Sequence, residues 1–257
     1  MTPKGSLFKN FGPKIGCYQL SEDHLKSLQD YAQAIFDNPE EQIDWGKNLA
    51  GQIHNEPYLV ENDEIYGILN VYTRHYLRSL LTDWAYDLQQ MKITSSIKSA
   101  WLVDQRPGEY NPTHFHTGTN ISSVLYLDMP EFEYDQALID KGKNQPDGQI
   151  SFINSSMRTL AELEMGQVSW TPTIGSVYVF PSRLLHAVNP WKGKGRRLSL
   201  SWNTEFIFDP PDGVRLKPIN TNTLSTREKQ HIKNQSNIID QIKTANDIVN
   251  DPNRKSS

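Results

Sequence analysis

The feature that most constrains this chain is the texture of residues 99–208. Short runs rich in Val, Ile, Tyr, Phe and Trp alternate there with Gly, Pro and Asn punctuation. Strands are expected at 99–104, 112–117, 121–128, 149–153, 167–171, 176–180, 185–189 and 196–208. Eight short strands at such close spacing suggest a sandwich, and a double-stranded β-helix (jelly roll) is the common solution. Segment 129–148, with its pieces EFEYDQ and KGKNQPDG, reads as a polar insertion near a site mouth.

Two helices should precede the sheets and cover one face, giving a mainly β fold with flanking helices. Ser21 is a good N-cap, followed by Glu22 and Asp23 in the first turn. Leu25, Leu28, Ala32, Ile35 and Phe36 then recur at helical spacing, and Pro39 lies just past the end. A second helix is expected over 64–91, with an apolar stripe from Ile65 through Tyr72, Tyr76 and Trp84 to Met91. His75 on that helix reads as a packing or surface residue. Trp101, Trp170 and Trp202 read as core.

After Phe208 the chain turns polar. Residues 210–224 suit an extended strap. Residues 225–249 suit a helix with a thin stripe (Ile232, Ile239, Ile242, Ile248) that docks loosely or mediates self-association. The expected organisation is one main domain over 1–208, helical to residue 98 and β from 99, with a C-terminal extension over 209–257. At 257 residues such a core needs no covalent staple. The single cysteine, Cys17, excludes an intrachain disulfide. No apolar run approaches the ~20 residues that span a bilayer, and the N-terminus lacks a signal-peptide stretch. A cytoplasmic protein is the expectation. A net charge of −4 argues against a nucleic-acid binder.

The candidate chemistry lies in three histidines. His114 and His116 stand two apart in an expected strand, which puts both side chains on one face, roughly 6–7 Å apart at Cα. Two imidazoles so placed can converge on one metal ion. His186 follows the apolar strand 176–180 and the turn Pro181-Ser182-Arg183, which returns it to a neighbouring strand. A hairpin through Asn189, Pro190, Gly193 and Gly195 then leads into 196–203. On that strand Arg197, Ser199 and Ser201 share one face, with Leu198, Leu200 and Trp202 on the other. A buried arginine needs an anion, and its planar fork matches a carboxylate.

Four segments in order, QRPGEYNPTHFH (105–116), SSVLYL (122–127), FPSRLLH (180–186) and RLSLSWN (197–203), resemble the iron(II)/2-oxoglutarate-dependent oxygenases. The branch they are most similar to is the putative 2OG-Fe(II) oxygenases met in bacteria and phages. The resemblance spans roughly 99–207, with a fainter echo at Leu49–Ile53. It implies Fe(II) held by His114, His116 and His186, and a co-substrate 2-oxoglutarate whose distal carboxylate meets Arg197, Ser199 and Tyr126. Gln105, Asn111 and Asn203 are expected to line the pocket. The implied reaction hydroxylates a C–H bond of a protein or small molecule with O2, releasing succinate and CO2. One departure stands out: the family's third ligand is a carboxylate, and here His116 occupies that position. The alternatives are that Asp104 or Asp128 is the third ligand while His116 only lines the pocket, or that the site holds metal without activity. A metal-holding jelly roll of another class, such as a cupin-like isomerase or binding module, shares the three histidines but has no use for the arginine and serine.

Overall fold

Strict alternation decides which way each strand faces. In strand 121–128 Leu125 and Leu127 turn to one side, Val124 and Tyr126 to the other, and nearly the whole strand is buried. A strand apolar on both faces needs a layer on each side. The computed structural model supplies both layers, and it describes residues 4–8, 12–83, 92–154 and 166–209.

The strands are β1 (Lys4–Phe8), β2 (Ile15–Gln19), β3 (Lys92–Gln105), β4 (Asn111–His114), β5 (Ile121–Asp128), β6 (Glu131–Phe132), β7 (Ile150–Ile153), β8 (Gln167–Trp170), β9 (Ser176–Pro181), β10 (Leu185–Val188), β11 (Gly193–Lys194) and β12 (Arg197–Asp209). The helices are α1 (Glu22–Asp37), α2 (Asp63–Asp83) and a short α3 (Gln136–Asp140). A six-stranded sheet runs β1-β2-β9-β5-β12-β3, a four-stranded sheet runs β4-β10-β7-β8, and β6 pairs with β11. Every pairing is antiparallel. The chain is mainly antiparallel β with few helices.

One core lies between the helices and the large sheet, where Leu28, Ala32, Leu69, Tyr72 and Tyr76 meet Leu102, Leu125, Val179, Leu200 and Trp202. Each of the leucines and Val179 contributes about 1.5–3 kcal/mol by leaving water. Trp202 also donates from Nε1 to Thr73 Oγ1 at 3.1 Å, tying α2 to the sheet. A second core lies between the sheets, around Val124, Tyr126, Phe152, Tyr178 and Phe180.

Helix α1 starts as expected: Ser21 Oγ accepts from His24 N at 3.3 Å. Helix α2 is capped by Asn62, whose Oδ1 accepts from Ile65 N at 3.1 Å. The expected 84–91 continuation of α2 lies outside the described residues, as do the strap 210–224 and helix 225–249. His75 packs edge-on against Tyr18.

The sequence reading missed several pieces. Hairpin β1–β2 extends the large sheet through β9. β3 begins at Lys92 rather than 99 and pairs with β12 along its whole length. The insertion 129–148 is not merely polar loop: β6 pairs with the hairpin strand β11, and Phe132 packs edge-on against Trp191. Gly193 is required at that pairing. It has φ +133°, and a Cβ there would sit 1.9 Å from the Glu131 carbonyl oxygen. β4 ends at His114, so His116 lies just beyond the strand.

Candidate metal centre

Antiparallel pairing brings the histidines together. His186 on β10 stands directly opposite His114 on β4. Two residues on, His116 is anchored by its own backbone, whose N–H donates to the Ser182 carbonyl at 2.8 Å. The ring centroids lie 4.2 Å (His114–His186), 5.2 Å (His114–His116) and 5.2 Å (His116–His186) apart. One nitrogen from each ring falls within 4.8 Å of the others, a grouping that could hold a metal ion. His116 Nε2 and His186 Nε2 are 3.3 Å apart. Two nitrogens bound at ~2.0–2.1 Å to one ion, at bond angles between square and tetrahedral, sit ~2.8–3.4 Å apart. The donor set therefore fits a metal.

The outer nitrogens fix the tautomers. His114 Nδ1 lies 2.7 Å from the Pro112 carbonyl and His186 Nδ1 2.9 Å from the Leu184 carbonyl. Each must donate, which leaves the Nε2 lone pair turned inward. His116 Nδ1 meets the Asn203 side-chain amide at 3.2 Å. An amide can offer donor or acceptor according to its rotation, so Asn203 can serve either tautomer. Burial lowers all three imidazole pKa values, to about 4 for His116, with the neighbouring rings adding to the effect at His116 and His186. The rings are thus neutral at physiological pH, the form that ligates.

No carboxylate joins the three imidazoles among the described residues. Asp104, on β3 next to the cavity-facing Val103, is buried and paired with Arg106 at 2.9 Å. Asp128 sits at the end of β5, half exposed, 3.6 Å from Arg196.

The histidines line a cavity of about 310 Å³ between the two sheets. β12 gives it Arg197, Ser199, Ser201 and Asn203, and β5 gives it Ser122, Val124 and Tyr126. Arg197 is 2 % exposed. It donates from Nη1 to the Gly148 carbonyl at 2.6 Å and from Nη2 to Gln105 Oε1. Its Nε has no partner, and no acidic side chain pairs with it among the described residues. Burial lowers its pKa to about 10, still charged at neutral pH. The Tyr126 hydroxyl is likewise buried without a partner, with its pKa raised by burial to about 12. Ser199 stands opposite Tyr126 across the β12–β5 pairing.

Asn111 and Asn203 line the cavity, and Gln105 does not. It is fully buried behind the wall, where it braces Arg197 and donates to the Glu109 carbonyl. Trp101, read as core, faces the cavity with its ring 6.0 Å from His116, because alternation along β3 turns it inward with Ser99 and Val103. Sequence reasoning picked out Leu49–Ile53 in loop 44–58 but not Trp45, Asn48 and Glu56, which complete the wall beside Leu49 and Ala50.

Residues 99–203 match the protein-family model described as "Putative 2OG-Fe(II) oxygenase". No curated protein sequence matches the chain. Among solved structures it is similar to a viral collagen prolyl hydroxylase from Paramecium Bursaria Chlorella virus-1, solved with 2OG, at 14 % identity and TM-score 0.46, covering 74 % of this chain and 94 % of that one. It is also similar to a Pseudomonas putida prolyl-4-hydroxylase, at 16 % identity and TM-score 0.48, covering 74 % and 91 %. A third is AviO1 from Streptomyces viridochromogenes Tue57, at 14 % and 0.45, covering 79 % and 92 %.

Proposed function

We propose that this chain, which carries a 2OG-Fe(II) oxygenase domain over residues 99–203, hydroxylates a C–H bond of its substrate on a double-stranded β-helix core. The family uses Fe(II) and 2-oxoglutarate. His114, His116 and His186 would hold the metal through Nε2. The chemistry supplied by the bound iron is oxygen activation, in which 2-oxoglutarate, O2 and a substrate C–H bond yield succinate, CO2 and an alcohol.

The protein's own part is binding and orientation. Arg197 receives the distal carboxylate of 2-oxoglutarate through its free Nε–H, with Tyr126 Oη–H and Ser199 beside it. One observation carries this reading: two buried donors, Arg197 Nε and Tyr126 Oη, share one cavity wall with no acceptor of their own. Buried polar groups are ordinarily satisfied, so the pair points to an anionic ligand. Val124, Ile150, Phe180 and Val188 in the same wall keep water away from that contact. Asn203, turned to accept from His116 Nδ1–H, holds the third imidazole in the ligating tautomer. An imidazole in place of the carboxylate leaves the site one charge more positive, which the dianionic co-substrate offsets. A jelly roll of another class would have no use for the Arg197 clamp.

The test is succinate formation from 2-oxoglutarate with Fe(II) in air, alongside calorimetric 2-oxoglutarate binding, for the wild type and Arg197→Ala. The expected result is binding and slow turnover in the wild type, both lost in the variant. Iron bound with neither 2-oxoglutarate binding nor turnover would overturn the reading.

A further inference from the structure

The cavity has a second charged wall, remote in character from Arg197. It comes from loop 44–58, which is stitched to the sheet by bridges pairing Asp44 with Pro57, Gln52 with Tyr110 and Tyr58 with Trp101. Trp45 N donates to the Glu56 carbonyl at 3.0 Å, so the two residues that close the loop are fixed to each other. From this loop Trp45, Asn48 and Glu56 line the same cavity as the three imidazoles.

Glu56 is 2 % exposed and its Oε2 has no hydrogen-bond partner. Glycines flank its carboxyl group. A Cβ on Gly51 would lie 3.1 Å from Glu56 Oε1, and one on Gly46 would lie 3.4 Å from Oε2. Arg106 pairs with Asp104 at 2.9 Å, and the His54 ring is hydrogen-bonded to Glu109. No Lys or Arg pairs with Glu56 among the described residues. Instead Asp44 and Glu109 add like charge to the effect of burial, and its pKa rises to about 7. A carboxyl group buried without a partner, on the wall of a cavity, is costly to the free protein. A cationic ligand removes that cost by pairing with it.

We propose that Glu56 is the anchor for a cationic group of the substrate, an alkylammonium or guanidinium, with the Trp45 and Trp101 rings flanking its carbon stem. This deepens the oxygenase reading and rests on it: Arg197 takes the anionic co-substrate and Glu56 takes the cationic substrate. The two opposite charges in one cavity sort the two small molecules to their own ends. An aromatic ring beside the anchor favours the cation further, through the negative face of its π system.

The experiment compares n-butylammonium with its neutral isostere 1-butanol by ligand-observed NMR titration, on the full chain with 2-oxoglutarate in buffer free of paramagnetic metal ions, and on Glu56→Gln. The expected result is at least about tenfold tighter binding of the cation by the wild type, with the preference erased in Glu56→Gln. Equal binding of the two probes by the wild type overturns the proposal without recourse to any variant. So does a preference that survives Glu56→Gln. A lysine-bearing peptide and free lysine, run as further arms, separate a protein side chain from a small molecule as the source of the cation. Calorimetric 2-oxoglutarate binding by the wild type, measured in parallel, reports separately on the oxygenase reading.

Discussion

Replacing Arg197 by Met separates a ligand-binding arginine from a structural one. The two side chains are both long and unbranched, so the wall is largely refilled. In the free protein the change removes a guanidinium that is 2 % exposed and faces no acidic partner. Burying such a charge costs several kcal/mol, roughly 3–5 by analogy with broken buried pairs. The change also strips the Gly148 carbonyl and Gln105 Oε1 of their donor, at about 1–3 kcal/mol each. The two effects oppose, and the net change in free-protein stability should fall within about 2 kcal/mol of zero. Binding has no such offset. A carboxylate left without its buried cationic partner loses about 3–5 kcal/mol, which at 1.4 kcal/mol per decade is about 100- to 3,000-fold in Kd. Urea unfolding of the free protein and anaerobic calorimetry with Fe(II) and 2-oxoglutarate measure the two quantities. A variant that loses more than about 4 kcal/mol of stability while its 2-oxoglutarate Kd moves less than tenfold would refute the reasoning, and make Arg197 a strut between Gly148 and Gln105.

Three further outcomes follow from the same geometry. Asn203→Leu removes the group that holds His116 Nδ1 and should weaken Co(II) binding, followed by its visible absorption, by about 10- to 100-fold; unchanged affinity would show that Asn203 does not orient the ring. Glu56 should impose a falling stability with pH. Its proton is bound more tightly in the folded chain, at a pKa of about 7 against 4.5, so the unfolded state binds fewer protons between those values and stability drops as pH rises through that window. At ~1.4 kcal/mol per tenfold change in proton affinity the drop amounts to about 3 kcal/mol. Glu56→Gln should abolish it in urea unfolding at pH 4 and pH 8, and parallel profiles for the two proteins would contradict this. Trp202→Phe, on the helix side of β12, should cost about 2 kcal/mol through the lost Thr73 bond and a small cavity. Its 2-oxoglutarate affinity should stay unchanged; a large loss of affinity would mean that the two faces of β12 are not independent.

What the sequence made legible was what depends on period two. β5, β9 and β10 were placed within a residue or so because their apolar residues alternate or run unbroken between turn residues. The same alternation assigned Arg197, Ser199 and Ser201 to one face of β12 and Leu198, Leu200 and Trp202 to the other, as the two cores require. It also contains the argument against Asp104, one step off the inward face of β3. Segment 93–98 escaped because ITSSIK is half polar: its residues are only half-buried or exposed, so no apolar pattern marks it. Its pairing with β12 is a tertiary fact. β1 and β2 are short and carry few strong strand formers. Gln105 was misplaced because its face is shared with Arg197, and only packing shows which of the two reaches the cavity. Glu56 had no local signal. It is one acid in a polar loop, and its burial arises from the bridges that fold 44–58 onto β3 and the segment before β4.

The central claim is that three imidazoles, with no carboxylate, hold the iron. An anaerobic crystal structure with Fe(II) and 2-oxoglutarate, with anomalous data at the iron edge, tests it most directly. The account predicts one iron peak bonded to Nε2 of His114, His116 and His186, with the distal carboxylate of 2-oxoglutarate on Arg197. Iron held by only two of these histidines together with an aspartate or glutamate would contradict it.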